Sequence, residues 1–280
     1  MEGLTILRAF RNAPYPHASR ENGWTYGGKT FSAAAHYSDS TVGVFIPAGY
    51  RAEARVDYVV HFHGHGNNVA KALERYDLRR LIDESGLNAI LLVPQGPKNA
   101  TDSGGGHLEL DEGAFEALIR EVTGFLKREG HIGTARIGRI ALTSHSGGYK
   151  VTSAILRHGG LAGCIRDVLL FDSTYASLDG FADWIAGGRN RRLISIFTQH
   201  LAGENLMLMS LLSERKTPFD IFVEAESAAG RLPLRRAHFI YTTELEHDEV
   251  VSARGYFADW LRSSALSRVP DRVRQDTAGA

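Results

Sequence analysis

The sequence predicts an α/β fold: a mostly parallel sheet with helices on both faces and an antiparallel strand pair near the N-terminus. Three observations carry this. Short, near-continuous apolar runs recur along the chain, as strands buried on both faces require. Between them lie segments of roughly ten to twenty residues with helical spacing of apolar side chains. The region before the first such run is different, rich in Tyr, Gly, Ser and Pro.

In that first region, residues 29–37 and 41–46 read as two short strands separated by "SDS" and closed by "PAGY". "VDYVVHFHG" is a buried strand ending in Gly, and "VAKALERYDLRRLIDESG" follows as a helix. "NAILLVPQG" is the next strand. "DEGAFEALIREVTGFLKREG" is an amphipathic helix with acids at its start and basic residues at its end, as the helix dipole favours. "RIGRIALTSHSGG" is a strand running into a glycine-rich turn, and "YKVTSAILRHGG" a helix. The alternation continues with "IRDVLLFDS", "SLDGFADWIAGG", "RRLISIFTQ" and "GENLMLMSLLSER". It ends with the strand "AHFIYTT" and the helix "HDEVVSARGYFADWLRSS". The whole chain, 1–280, reads as one domain, with a core of about 29–265, an N-terminal extension over 1–28 and a flexible tail over 266–280.

Composition narrows the function. The chain has 280 residues, 43% of them apolar, with 32 basic and 32 acidic side chains. Such a balance, with "GGRNRR" as its densest basic run, argues against a nucleic-acid partner. No apolar run is long enough to span a membrane. The single cysteine, Cys164, has no internal disulfide partner. The first residues lack a basic segment followed by a long apolar one. The chain as written therefore reads as cytoplasmic, and a secreted protein relieved of its signal would look the same.

Ligands of such sheets bind beyond the carboxyl ends of the strands. Those ends carry His63, His65, Gln95, Ser146, Asp172, Gln199 and His247. The run Ser144-His145-Ser146-Gly147-Gly148, between a strand and a helix, has the layout of a nucleophile elbow, with small residues two places either side of Ser146. Taken alone, such a turn is also how an ordinary helix begins. A serine needs a base, and the base an orienting acid. Asp172 ends the next strand and His247 follows the last one, giving the chain order Ser, Asp, His. Backbone amides of Gly147 and of His65, with Gly66 as alternate, are the expected oxyanion donors. Gly64, Gly66, Asn67, Gln95 and His145 are candidate substrate-binding residues. The loops 97–110 and 217–234 are candidates to border the site, the second as a flap or an extra edge strand.

These parts together resemble the α/β-hydrolase superfamily, especially its serine esterases and lipases. The resemblance rests on "FIPAGY", "HFHGHGNN", "LVPQG", "TSHSGGY" and "EHDEVV", spanning roughly residues 41–262. It implies a sheet of about eight strands, Ser146 as nucleophile, His247 as general base and acid, and a carboxylic ester as substrate, small or polymer-derived, without a cofactor. In that family the acid more often follows the next strand. There this chain offers Gln199, His200 and then Glu204, so Glu204 is the alternative acid. Lipase-like members place the acid one strand earlier, which fits Asp172.

Other readings stand beside this one. An amidase or peptidase would use the same machinery, and a binding protein the same fold. A metal-dependent hydrolase would draw on His61, His63 and His65, which alternate and so share one face of a strand. No carboxylate follows them closely, since Glu74 is the next acid, which argues against a metal.

Overall fold

A computed structural model describes residues 3–223 and 236–270. In chain order its elements are β1 (Leu4–Ala9), β2 (Trp24–Tyr26), β3 (Lys29–Phe31), α1 (Ala33–His36), β4 (Thr41–Ile46), β5 (Val56–Phe62), α2 (Val69–Arg75), α3 (Leu78–Ser85), β6 (Ala89–Pro94) and α4 (His107–Leu110). There follow α5 (Ala114–Arg128), β7 (Ile137–His145), α6 (Tyr149–His158), β8 (Ile165–Phe171), α7 (Leu178–Ala186), β9 (Arg192–Phe197), α8 (Ala202–Glu214), β10 (Phe219–Val223), β11 (Ala237–Tyr241) and α9 (Tyr256–Arg262).

Nine strands form one sheet in the order β1-β4-β6-β5-β7-β8-β9-β11-β10. β4 runs antiparallel to both β1 and β6, and the pairs from β6 through to β10 are parallel. The central strands read as unbroken apolar runs because each face meets helices. Val60, Leu142 and Leu170 point to the side of α5–α8, while Val59, Ala141 and Leu169 point to that of α2, α3 and α9. From β5 the chain steps outward to β6 and then returns past β5 to β7. This reversal opens a crevice beyond the carboxyl ends of β5 and β7, where ligands of such sheets bind.

Several elements differ from the sequence reading. The antiparallel partner of β4 on its outer side is β1, within the supposed extension. Leu4 and Leu7 are exposed there, so this edge strand lacks a two-sided apolar pattern. Only Lys29–Phe31 of the segment 29–37 is strand. It forms a small hairpin with β2 over Gly27 and Gly28, both at positive φ, and the alanines after Ser32 then turn helical as α1. The helix expected over 69–86 is broken in two by Asp77, whose φ is 51°. The last helix starts only at Tyr256, since Arg254 and Gly255 take positive φ, and the preceding Val250 and Val251 are buried in the core. Of the segment 217–234, Phe219–Val223 is an edge strand, and 224–234 lie outside the described residues. The tail over 266–270 bridges Leu87 through Arg268, and 271–280 lie outside the described residues.

At the opposite edge of the strands from the crevice, a buried ion pair joins sheet to helix. Arg192 Nε donates to Asp167 Oδ1 at 2.7 Å, with side chains 2% and 1% exposed. The remaining guanidinium nitrogens donate to the Trp260 carbonyl and to Ser263, and Asp167 Oδ2 accepts from the Ala265 amide. Removing one partner strands the other charge in the interior. Asp167→Ala is therefore expected to lower unfolding free energy by about 3–5 kcal/mol, measured by urea denaturation; a loss below about 1 kcal/mol would mean that the pair is not what ties α9 to the sheet.

Candidate active site

β7 ends at His145, and Ser146 then takes a φ of 53°, left-handed and strained for a serine. Two hydroxyls hold the turn: Ser173 Oγ donates to the Ser146 carbonyl at 2.9 Å and pairs with Ser144 Oγ at 2.8 Å. The requirement for small neighbours is steric. A Cβ on Gly148 would lie 2.4 Å from the Phe62 carbonyl oxygen, and one on Gly147 2.6 Å from Ser103 Oγ. Ser103 belongs to the 97–110 loop, so that loop borders the turn.

The glycine loop after β5 lies against the serine. A Cβ on Gly64 would stand 2.5 Å from Ser146 Cβ. His63, buried, fixes this loop: its Nδ1–H donates to the Gly64 carbonyl at 2.9 Å, and its Nε2 accepts from the Gly96 amide at 3.0 Å. Gln95 supports the same junction, accepting from the Val69 amide and donating to the Gly96 carbonyl, with its Nε2 3.1 Å from His63 Nε2. Asn67 is buried too, its Oδ1 accepting from the Asn68 amide. Gln95 and Asn67 thus spend polar groups on backbone of the loop and of the start of α2, with Asn67 Nδ2 3.5 Å from the Tyr76 hydroxyl, and Lys98 pairs with Asp39 at 2.6 Å. The Gly66 amide donates to the Ala100 carbonyl at 2.9 Å, which removes it as an alternate oxyanion donor. His65 lays its ring over Gly147 and reaches Ser103 Oγ through Nε2 at 2.7 Å.

Strand register sets the acid beside the serine. His145 pairs with Phe171, so Ser146 and Asp172 leave adjacent strands side by side. Asp172 is fully buried with a φ of 45°. Its Oδ1 accepts from the Thr198 amide and its Oδ2 from the Thr198 hydroxyl, both at 2.8 Å; His247 Nδ1 lies 3.0 Å from the same Oδ2. Burial alone would raise this carboxyl. The hydrogen bonds from His247 and from both Thr198 groups outweigh it and hold Asp172 below the ordinary carboxylate range. Glu204, the alternative acid, sits in the first turn of α8, and the carboxylate that meets His247 is Asp172. Ser146 and His247 are not directly hydrogen-bonded in this arrangement, in which His247 faces Asp172. Catalytic hydrogen bonds often close only when substrate binds.

His145 is part of the base's support. Its Nε2–H donates to the His247 carbonyl at 2.9 Å, which leaves Nδ1 to accept from the Tyr76 hydroxyl at 2.9 Å. The histidines 61, 63 and 65 do not converge. His61 is in the core against Thr143, at 2.9 Å. Among the described residues, the groups whose ligand atoms lie together are His17/His107/Asp111, His145/His247/Asp248 and Asp172/His200/His247, and none contains His61, His63 or His65.

Sequence reasoning missed three residues here: Thr198, Tyr175 and His200. Thr198 follows β9 directly and Tyr175 stands three places beyond Asp172, so strand-end position was the available signal.

No protein-family model and no curated protein matches the chain. Solved structures do. A feruloyl esterase module from Clostridium thermocellum shares 13% identity at a TM-score of 0.53, covering 94% of this chain and 88% of that one. A ferulic acid esterase shares 12% at 0.54, covering 94% and 99%. An S-formylglutathione hydrolase from Agrobacterium tumefaciens shares 11% at 0.54, covering 96% of each. The chain has the α/β-hydrolase fold. The strand end that, in the family the sequence resembles, more often carries the acid here holds Thr198, which donates two hydrogen bonds to the carboxylate one strand earlier. No described helix is long and apolar enough to cross a membrane.

Burial followed by repulsion from His247 pushes His145 down to about 4. His61 is also held well below its usual value, and His63 lower than usual, by burial first in both cases. As pH falls, the unfolded chain takes up these protons near 6.5 while the folded chain does not. Stability is therefore lost between about pH 6.5 and 4, with about 2 kcal/mol from His145 alone by pH 5. Denaturant titrations at pH 7.5 and 5.0 check this: the native protein should lose stability, and His145→Gln should lose markedly less. Equal stability at both values contradicts the burial argument.

Proposed function

We propose that this chain is a serine hydrolase that cleaves a carboxylic ester through an acyl-enzyme. The observation that carries the reading is the buried Asp172 carboxylate, bonded to His247 Nδ1 at 3.0 Å, beside a serine strained into the left-handed region at the end of the neighbouring strand. In the proposed reaction Ser146 Oγ attacks the ester carbonyl, and His247 Nε2 takes its proton. Asp172 fixes the Nδ1–H tautomer and stabilises the imidazolium. The amides of Gly147 and His65 hold the oxyanion, the Gly66 amide being already committed. The tetrahedral intermediate then expels the alcohol, which takes the proton from His247. Water repeats the sequence and releases the acid. The chemistry uses no cofactor. An open cleft lined by Thr198, Gln199, His200, Thr242 and Glu246 adjoins His247. The solved neighbours named as esterases and as a formylglutathione hydrolase agree with this class of reaction.

Ser146→Ala is expected to lower kcat on nitrophenyl esters at least ~10⁴-fold with the fold intact, and Asp172→Asn about 10⁴-fold. Glu204→Gln should stay within about twofold of the native enzyme. A fluorophosphonate should label the folded native protein at Ser146. Failure to label would favour a binding protein of this fold, and loss of activity in Glu204→Gln but not in Asp172→Asn would move the acid.

The glycine loop gives a second expectation. Gly64→Val forces a side chain into Ser146 and should cost ~10²-fold or more in kcat, as displaced catalytic groups do. His65→Ala keeps its backbone amide and should retain activity within about tenfold. Steady-state kinetics on both variants test the loop; the reverse order would mean that the His65 ring, not its amide, is what the reaction needs.

A further inference from the structure

Among the described residues, three groups of side chains bring histidine nitrogens and a carboxylate together, and their hydrogen bonds decide which can take a metal ion. A ligating imidazole offers a lone pair to the ion and carries its proton on the other nitrogen. In His17/His107/Asp111 the Ser19 amide donates to His17 Nδ1 at 3.1 Å, which leaves the proton on Nε2, the nitrogen that faces Asp111. In His145/His247/Asp248 both His145 nitrogens are spent, on Tyr76 and on the His247 carbonyl, and Asp248 pairs with Arg75 at 2.6 Å. The third group is different. His247 Nδ1 and His200 Nδ1 lie 3.0 and 3.4 Å from one oxygen, Asp172 Oδ2. In a tetrahedral zinc site with bonds of about 2.0–2.1 Å, neighbouring ligand atoms stand about 3.3 Å apart. The buried carboxylate is held from behind by the Thr198 amide on Oδ1, so Oδ2 stays turned toward the two rings. Both rings are partly exposed, and they line an open cleft together with Thr198 and Glu246. The opposite nitrogen of His200, Nε2, meets the Tyr175 hydroxyl at 2.9 Å, a group that can accept as well as donate.

We propose that Asp172, His200 and His247 form an inhibitory zinc site. The proposal rests on the serine-hydrolase reading above, in which His247 is the base. Two imidazole nitrogens and one carboxylate oxygen suit zinc, whereas magnesium and calcium take oxygen ligands. The ion binds Nδ1 of both rings and Oδ2 of Asp172, and water from the cleft fills its remaining position. Each imidazole stays neutral: its proton leaves Nδ1 and returns, through water, on Nε2. The hydrogen bonds given up are those from His247 Nδ1 to Asp172 and from His200 Nδ1 to Thr198 Oγ1. His200 Nε2–H then donates to the Tyr175 oxygen, which accepts instead of donating and holds the ring in place behind the ion. His247 Nε2 now carries a proton and has no lone pair for that of Ser146. Inhibition therefore comes from loss of the base, not from blockage of the serine.

The probe is Zn²⁺ in a metal buffer, with Mg²⁺ as control, on protein first freed of metals with a chelator. Binding is read by equilibrium dialysis on Ser146→Ala, which keeps all three ligands. Hydrolysis of nitrophenyl acetate and fluorophosphonate labelling are read on the native chain. Ser146→Ala should bind equimolar zinc, and Ser146→Ala/His200→Ala should bind it at least ~10-fold more weakly. Saturating zinc should lower kcat/KM and labelling of the native enzyme at least ~10-fold, chelator should restore both, and Mg²⁺ should do neither. His200→Ala should raise the half-inhibiting zinc concentration at least ~10-fold, and Tyr175→Phe about 10-fold, each variant being compared with itself without zinc. His200→Gln takes the place of the alanine variant where that fails to fold. Ser146→Ala that binds no zinc, or inhibition indifferent to the loss of His200, overturns the site. A native enzyme that hydrolyses and labels but ignores zinc overturns the site alone. A metal-free protein that is inactive until zinc is added overturns both the inhibitory site and the serine mechanism. If the native protein neither labels nor hydrolyses, with zinc or without, the two readings fall together.

Discussion

Everything at the mouth of the crevice depends on one buried carboxylate. Asp172 is shielded from water at the tip of β8, and an ion there is tolerable only where hydrogen bonds replace its hydration. Those bonds come from two other strand ends: Thr198 after β9, and His247 after β11. The backbone of Asp172 is tied in as well, its amide donating to the Ile196 carbonyl. The cost of burying the charge is thus met by groups from two neighbouring connections, which fixes them relative to the tip of β8. The same hydrogen bonds that make the burial affordable orient the imidazole used in the proposed reaction.

The serine side is held by close approach rather than by charge. The reversal of strand order at β5, which sets β7 beside it in parallel, brings two loops to within contact distance, and this works only because Gly64, Gly147 and Gly148 lack side chains. Two supports then lock each loop from behind. His63 and Gln95 pin the glycine loop to the end of β6, and Ser144 with Ser173 pins the elbow to the end of β8. The polar residues nearest the serine in sequence are mostly scaffolding of this kind. His145 illustrates it: adjacent to the nucleophile, it is nevertheless buried and kept neutral, and its ring carries the His247 backbone.

The central sheet was legible in the sequence because its strands are buried on both faces, which writes an unbroken apolar run. β1 was not, since an edge strand with Leu4 and Leu7 in water follows no such rule. Helix breaks were hidden for a different reason. Asp77 and Arg254 adopt left-handed conformations that the helical spacing of apolar residues around them does not announce. In the candidate site, Ser146, Asp172 and His247 could be nominated from strand-end position and chain order. Tyr175, Thr198 and His200 also follow strand ends, but position did not single them out, because what makes them notable is hydrogen bonds between residues from different strands. The Gly66 amide is the same kind of case: its use by Ala100 depends on a loop more than thirty residues away in the chain.

The three alternating histidines show how far a periodicity argument reaches. Residues 61, 63 and 65 would share a face only if the strand continued, and β5 stops at Phe62. His61 is therefore a core residue, between Thr143, Tyr76 and Phe257. His63 lies just past the strand and points its two nitrogens at backbone groups, the Gly64 carbonyl and the Gly96 amide, so neither nitrogen is free for a metal. His65 has turned away over Gly147. The repeat in sequence is thus cut by the strand end, and the loop that follows needs its histidines for different tasks: filling, pinning and covering. A loop that must hold backbone amides toward a serine gains from an internal donor–acceptor pair such as His63 supplies, because it fixes the carbonyl of Gly64 and thereby the orientation of the next amide, that of His65.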